Sequence, residues 1–209
     1  MNNNSMLAET RWSRHQDGVA LIADKRAQLE AALQALTEKV GKNAVAMRRC
    51  NTMHSEIFDW LLNNELNEPV AGWNFNEFHR SQLLSMGRLS FTNQDQLPVH
   101  DHPGSTGLLL VLDGVLTVKQ YEVEDQGVRA ARVKQVNELS LGAGDFNIFT
   151  PEQGNIHMLV AQSESCQVLD IVLSPYKEEE RTWYMPLVAI EKDEKEYMAA
   201  KLHRTNKTV

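Results

Sequence analysis

Apolar residues recur at helical spacing in the first third of the chain. Over Val19–Val40 they follow the three-to-four-residue period that places side chains on one helix face, and Gly41 ends the pattern. The same period returns over Ala44–Asn63. We therefore predict an N-terminal helical pair within residues 15–65, packed on the domain that follows, after a polar and frayed segment of residues 1–14.

A turn-rich connection spans Asn63–Asn76. In the sequence that follows it, short apolar runs alternate with turn residues. This pattern is typical of an all-β sandwich or barrel, and we predict a barrel over residues 77–188. Asp113-Gly114 between two of the runs is a signal for a two-residue hairpin. The charged, helix-prone C-terminal segment, residues 189–209, predicts a short helix over Ile190–His203 and a tail. The predicted strands are Gln82–Phe91, Gly107–Leu112, Val115–Tyr121, Ala130–Glu138, Asp145–Thr150, His157–Ala161, Val168–Leu173 and Trp183–Leu187.

Composition narrows the class of protein. The 209 residues are 42% hydrophobic and 23% charged, as in soluble globular proteins, and the net charge of −7 argues against a nucleic-acid partner. Two cysteines, Cys50 and Cys166, are too few for a disulfide framework. The N-terminus lacks a signal-peptide pattern, and the longest apolar run, Gly107–Leu112, is too short to cross a bilayer. We expect a cytoplasmic protein with no membrane partner and leave its oligomeric state open.

Three histidines form the candidate metal site. His100 and His102 lie one residue apart at the end of a predicted strand, where residues i and i+2 point the same way. His157 begins a later predicted strand, in PEQGNIH. We predict that these three imidazoles bind one metal ion. The remaining histidines are interpreted as surface or core residues: His15, His54, His79 and His203.

The donor set indicates which metal chemistry to expect. Three neutral imidazoles bind a divalent first-row metal, and they leave octahedral positions open, which suits iron(II) that must hold both a substrate and dioxygen. Without a carboxylate the site is more positive by one charge, so an anionic ligand such as a thiolate is favoured. Structural zinc is the alternative, but a closed zinc site normally needs a fourth protein ligand.

The motifs around these histidines resemble known families. PVHDHPGSTGLLLVLDG has the spacing of the first cupin motif, with Gly107 where most metal cupins carry a glutamate ligand. LPVHDHPGSTGLLLVLDGVLTVKQYE and GNIHMLVAQSESCQVLDIVLSPY resemble the family of 2-aminoethanethiol dioxygenase and plant cysteine oxidase, over roughly Leu83 to Leu187. Cysteine dioxygenase is a more distant likeness. The resemblance implies a mainly β, cupin (jelly-roll) barrel, here between the helical pair and the C-terminal helix.

The resemblance also implies roles for further residues. Asp170 matches an aspartate near the iron that orients substrate or ligands, although a purely structural carboxylate is the alternative. Tyr176 matches a tyrosine that could hydrogen-bond substrate or dioxygen, or else cap the barrel mouth. Glycine at position 107 excludes the cysteine–tyrosine crosslink of animal cysteine dioxygenases. Arg80 and Arg88 do not align with the arginine that grips the substrate carboxylate there, and each is interpreted as a surface cation.

The expected activity is that of an Fe(II)-dependent thiol dioxygenase, which adds both atoms of O2 to a thiol and yields a sulfinic acid. The substrate is either a small thiol (cysteamine, cysteine or 3-mercaptopropionate) or the N-terminal cysteine of a peptide. One alternative is a non-catalytic metal-binding cupin that acts as a sensor or regulator. Another is an isomerase or a different oxygenase on the same barrel, since a fold does not determine its function.

Overall fold

A computed structural model of the chain describes residues 26–40, 73–92, 94–125, 127–174, 180–190 and 195–203. The chain divides into two compact units, Met1–Pro69 and Val70–Val209. In the first unit, helix α1 spans Arg26–Val40, within the helix predicted over Val19–Val40. Residues 1–14 and Ala44–Asn63 lie outside the described residues, so the second helix and the packing of the pair on the barrel stay predictions.

Helix α1 is amphipathic. Its buried side chains recur three or four residues apart, which is the spacing that lines one face of a helix. They are Leu29, Ala32, Leu33 and Leu36, each at most 3% exposed. None of the helical residues in the described ranges forms a segment long and apolar enough to cross a membrane.

The second unit is built from antiparallel strands. Within the described residues these are β1 (Asn74–Arg80), β2 (Leu84–Thr92), β3 (Gln96–His100), β4 (Gly107–Asp113), β5 (Val115–Asp125), β6 (Ala130–Gly142), β7 (Phe146–Phe149), β8 (His157–Ala161), β9 (Ser165–Leu173), β10 (Thr182–Ala189) and β11 (Glu196–His203). The predicted hairpin at Asp113-Gly114 is wrong. Gly114 has the positive φ of 79° of a tight turn, but β4 pairs with β7 and β9 whereas β5 pairs with β6 and β8, so this turn carries the chain from one sheet to the other.

The strands form two layers. One is a five-stranded sheet in the order β1-β2-β9-β4-β7, and the other is a closed barrel in the order β10-β11-β6-β5-β8-β3. Alternate residues from both layers fill the core, because side chains along a strand point to opposite faces. The largest fully buried residues there include Phe91, Phe149, Leu109 and Leu159. The mainly β, cupin (jelly-roll) fold class predicted from the sequence is confirmed.

The predicted C-terminal helix is wrong. Residues Glu196–His203 form strand β11, which pairs with β10 on one side and β6 on the other. Tyr197 and Ala199 are buried at alternate positions, and two flanking strands satisfy the backbone hydrogen-bonding groups of β11. This pairing outweighs the helix propensity of the Glu, Lys, Met and Ala residues in the segment. Strand β1 also begins three residues before the predicted barrel boundary, and the strands extend from residue 74 to 203.

Cys166, on β9, is expected to be chemically inert in the folded protein. The residue is fully buried in the core, and burial, with a smaller contribution from Asp113, raises the pKa of its thiol to about 12. At pH 8 only about one thiol in 10,000 would be the reactive thiolate. Iodoacetamide should therefore leave Cys166 unmodified in the native protein and alkylate it in urea, as read by peptide mass. Rapid labelling of the native protein would contradict this.

Candidate metal centre

The three predicted histidines converge inside the barrel. His100 ends β3 and stands directly opposite His157, the first residue of β8, in the antiparallel register. His102 reaches the same point from the turn after β3, so the pair is not carried on one regular strand as the sequence suggested. The three imidazole rings lie 4.8–5.0 Å apart between centroids, and one ligand atom from each lies within 4.8 Å of the others.

Backbone carbonyls set the tautomer of two of the rings. Nδ1 of His100 donates to the Pro98 carbonyl at 2.8 Å, and Nδ1 of His157 donates to the Gly154 carbonyl at 3.1 Å. A neutral imidazole that donates from Nδ1 keeps a lone pair on Nε2, and that nitrogen can bind a metal. Metal-binding histidines normally have such a hydrogen bond at the ring nitrogen that does not bind the metal, and it fixes the orientation of the ring.

Burial keeps the three rings neutral. Each is at most 4% exposed, and desolvation lowers the pKa of His157 to about 4 and those of His100 and His102 well below their usual range. Neighbouring histidines and the guanidinium of Arg181 lower the pKa values of His100 and His102 further, and Arg181 adds to the effect on His157. At neutral pH the rings are therefore in the deprotonated form that metal ligation requires.

The donor atoms fit a metal ion. Nε2 of His100 and Nε2 of His102 are 3.1 Å apart. Two metal–nitrogen bonds of about 2.1 Å separate their nitrogens by about 3.0 Å when they meet at a right angle, and by about 3.4 Å at the tetrahedral angle. The observed separation lies within this range, so the two nitrogens are close enough to bind one ion together. Among the described residues this group contains no carboxylate or thiolate.

The position of the missing carboxylate is filled by an aromatic ring. Gly107 on β4 faces Phe149 on β7, and a Cβ atom added to Gly107 would lie 2.2 Å from Cζ of Phe149. The Phe149 ring stacks on His102, with centroids 4.6 Å apart, and meets the His157 ring nearly edge-on at 5.2 Å. The glycine thus makes room for a ring that supports two of the three histidines.

Two polar residues position the histidine loop. Asn155 clamps His102, because its Oδ1 accepts from the His102 backbone N–H at 2.9 Å and its Nδ2 donates to the His102 carbonyl at 2.7 Å. Asp101 joins the loop to β10 by accepting from the Thr182 backbone N–H at 2.7 Å and from the Tyr184 hydroxyl at 3.3 Å. Sequence reasoning assigned no role to either residue, although Asn155 lies within the GNIH motif.

Replacing Asn155 by alanine is expected to loosen the metal centre. The change removes both hydrogen bonds that hold the His102 backbone, and losses of supporting contacts of this kind typically reduce metal affinity by about 10- to 100-fold. Competition with a chelator would measure the effect. Asn137→Ala is the matched control, because Asn137 is exposed and its side chain donates to Gln120 and makes no hydrogen bond to His102. Equal affinities in the two variants would contradict the role assigned to Asn155.

A cavity of about 630 Å³ opens in front of two of the histidines, His100 and His102. Its wall combines apolar side chains, such as Leu89, Val172 and Trp183, with the carboxylate-bearing Asp170. Asp170 stands on β9 between Gly87 of β2 and Leu109 of β4 in register. The structure therefore brings Asp170 to the same cavity as the histidines. Tyr176 lies outside the described residues.

An arginine that sequence reasoning missed also lines this cavity. Arg181 precedes β10, and its Nη2 donates to Nδ1 of His102 at 3.3 Å. The two upstream arginines lie elsewhere: Arg80 is exposed and bonds Glu77, whereas Arg88 is only 4% exposed. The interpretation of Arg88 as a surface cation is therefore wrong. The Arg88 side chain lies on one face of β2, and those of Leu89 and Phe91 lie on the other face and point into the core.

Comparison with known proteins identifies the family of the chain and two curated relatives. The sequence matches the PCO_ADO family over residues 36–207. Plant cysteine oxidase 1 of Arabidopsis thaliana is 26% identical over 104 residues, which cover 47% of this chain and 35% of that protein. A probable 2-aminoethanethiol dioxygenase of Dictyostelium discoideum is 28% identical over 103 residues, 46% of each chain. The matched segments thus span less than half of either relative.

Solved structures with a similar fold include two bacterial proteins. A cupin superfamily protein from Desulfitobacterium hafniense is 15% identical, with a TM-score of 0.38, over 52% of this chain and 83% of that one. A protein with a double-stranded β-helix domain from Klebsiella pneumoniae is 16% identical, with a TM-score of 0.40, over 52% of this chain and 77% of that one. At these identities the likeness concerns the fold alone.

Proposed function

Since the chain belongs to the PCO_ADO family, we propose that it is an iron(II)-dependent thiol dioxygenase, which adds both atoms of O2 to a thiol to yield a sulfinic acid. The observation that carries the proposal is the buried group of three neutral histidines, without a carboxylate, beside a cavity of about 630 Å³. The names of the two curated relatives, a cysteine oxidase and a probable aminoethanethiol dioxygenase, support the same reaction class.

His100, His102 and His157 would hold the metal. A bound iron(II) ion would supply the electron transfer that activates dioxygen and joins it to sulfur. The protein's own contribution is electrostatic: three neutral imidazoles cancel none of the charge of a divalent ion, and the Arg181 guanidinium adds a further positive charge next to His102. These positive charges favour the thiolate over the thiol, because a nearby positive charge lowers the pKa of a sulfhydryl group, whereas the carboxylates of Glu77 and Asp170 in the same cavity wall act in the opposite direction.

The cavity wall positions the substrate. Apolar side chains, including Leu97, Val172 and Trp183, exclude water from the space in front of the histidines and strengthen electrostatic contacts there. We assign Asp170 a positioning role, in which its carboxylate accepts a hydrogen bond from a polar group of the substrate. We also propose that Tyr176 forms a hydrogen bond with the substrate or with dioxygen.

The decisive experiment is oxygen uptake by iron-loaded protein. Cysteamine, cysteine, 3-mercaptopropionate and a peptide with an N-terminal cysteine would each be supplied, and the product mass would be examined for the gain of two oxygen atoms. We expect at least one thiol to be converted to its sulfinate with matching oxygen consumption. If the protein binds iron through the three histidines and yet consumes no oxygen with any of these thiols, that result would contradict the proposed enzyme activity and favour a metal-binding sensor.

A further inference from the structure

Phe75 is an aromatic residue of the cavity wall to which the proposed function assigns no task. It lies on β1, the outermost strand of the five-stranded sheet within the described residues, directly opposite Leu89 of β2. Both residues line the cavity in front of His100 and His102. Leu89 is only 3% exposed, but Phe75 is 41% exposed, although phenylalanine is usually buried. The Phe75 ring is therefore a large apolar surface that stands open in the cavity of the metal centre.

A glycine on the neighbouring strand fixes the place of this ring. Gly87 of β2 is a diagonal neighbour of Phe75 in the antiparallel pair, and aromatic side chains can reach such neighbours. A Cβ atom added at Gly87 would overlap Cε2 and Cζ of the Phe75 ring and lie 3.1 Å from its Cδ2. Gly87 does not have a positive φ, so it makes room for the ring and serves no turn.

The ring covers a gap between two acidic residues of the wall. In register, Gly87 stands between Glu77 of β1 and Asp170 of β9, and both acidic side chains line the cavity. The Glu77 carboxylate accepts hydrogen bonds from Nε of Arg80 at 2.9 Å and from the Ser85 hydroxyl at 2.8 Å. The Phe75 ring thus forms an apolar strip between two polar parts of the wall.

The volume of the cavity exceeds what a thiol of a few heavy atoms fills. Pockets of about 300–1,000 Å³ enclose ligands of drug size, and this cavity has about 630 Å³. Its wall also includes Trp73 and Leu202, which are 43% and 51% exposed. A ligand with an apolar group would remove part of this surface from water, which is favourable.

We propose that Phe75 is a specificity-determining residue, whose ring, held over Gly87, contacts an apolar group of the substrate away from the sulfur. The inference rests on the proposed function and deepens it by naming the substrate class, which is thiols that carry an apolar group. An aromatic ring and an apolar group attract each other in water because contact buries both surfaces. Cysteamine and cysteine would occupy the same site without this contact.

The test compares two neutral thiols that differ at the end of a two-carbon chain. 2-Phenylethanethiol carries a phenyl ring there, and 2-mercaptoethanol carries a hydroxyl group. Their Kd values for the iron-loaded protein would be measured by calorimetry without oxygen, so that binding is read apart from turnover. We expect 2-phenylethanethiol to bind about 10- to 100-fold more tightly, as burial of an aromatic group would give.

Two substitutions remove the contact in different ways. Phe75→Ala deletes the ring, whereas Gly87→Ala keeps the ring but displaces it, which its exposure to solvent permits. Either change should reduce the preference for 2-phenylethanethiol about tenfold and leave the Kd of 2-mercaptoethanol within about twofold. The double variant should lose no more of the preference than Phe75→Ala alone, because the two effects have one cause.

Control variants separate this contact from general effects on the sheet. Phe75→Leu should lie between the wild type and Phe75→Ala, because an apolar side chain remains. Phe146→Ala is the matched control and should keep the full preference. Phe146 is half-buried on β7, at the other end of the same sheet, and is not one of the described residues that line the cavity. Circular dichroism and iron content would be determined for every variant.

Several results would overturn the inference. Equal Kd values for the two thiols in the wild-type protein contradict it even if no variant folds. A folded, iron-loaded Phe75→Ala variant that keeps the full preference also contradicts it, as does one in which both thiols weaken equally, which would mark Phe75 as a support of the sheet. An unchanged preference in Gly87→Ala would refute the placement of the ring by Gly87. Oxygen uptake tests the proposed function separately, because the preference is measured without turnover.

Discussion

Alanine in place of His157 is expected to abolish tight metal binding and, with it, any oxygen uptake. The described group offers three imidazoles and no carboxylate or thiolate to replace one of them. Loss of a supporting contact alone costs about 10- to 100-fold in metal affinity, so loss of a ligand should exceed about 100-fold. Metal content after gel filtration and competition with a chelator would measure the change, and circular dichroism would confirm that the barrel is folded.

The same result is expected for alanine at His100 and at His102. His79→Ala provides the control: His79 is a half-buried histidine on β1 that does not belong to the three-histidine group. This variant should bind metal like the wild type. A folded His157→Ala protein that keeps one tightly bound metal ion per chain would refute the ligand assignment.

Adding a side chain at Gly107 is expected to destabilise the barrel. The Cβ of alanine would lie 2.2 Å from Cζ of Phe149, and this ring cannot move aside easily because it is packed against His102 and His157. Overpacking of a core typically costs about 1–3 kcal/mol. Gly107→Ala should lower the free energy of unfolding by this amount, and Gly107→Glu by more, without creating the carboxylate ligand that most metal cupins carry at this position.

A double-mutant cycle would test whether the collision with Phe149 causes the loss of stability in Gly107→Ala. Phe149→Ala alone should cost about 3–5 kcal/mol, but in its presence Gly107→Ala should become nearly neutral, because the colliding ring is gone. Urea denaturation would supply the free energies. Gly142→Ala is the matched glycine control, since a Cβ there meets nothing closer than 3.6 Å. Full stability of Gly107→Ala would show that the barrel accommodates the methyl group, contrary to this argument.

The local patterns that carried the chemistry were readable in the sequence. A histidine pair one residue apart and a third histidine at the start of a strand depend on short-range geometry, and the structure brings the three histidines together. The Asp113-Gly114 signal marks a tight turn, but the partners of the two flanking strands depend on long-range pairing, so the predicted hairpin does not form. Strand β11 was not readable in this way. Its residues favour a helix, and only two partner strands that are distant in sequence make it extended.

Two further features depend on register across the sheets. The Gly107–Phe149 contact joins residues far apart in the chain, and no pattern around either one marks it. Arg181 lies 79 residues from His102, so a search for a cation near the histidine motif could not find it. Strand β1, with the polar sequence NFNEFHR, lacks the clean alternation that identifies a strand, and pairing with β2 is what orders it.

The strand pair that closes the barrel, β3 with β10, is also the place where the barrel opens most easily. Among the described residues, β3 and β10 meet in a single register pair, His100 opposite Trp183, beside the bonds that Asp101 makes to Thr182 and Tyr184. Opening this single pair costs less free energy than opening the long ladder between β5 and β6. Because His100 is one of the two paired residues, a metal ion bound to it would stabilise the pair. We therefore expect metal binding to slow amide hydrogen exchange along β10, a strand that supplies no ligand.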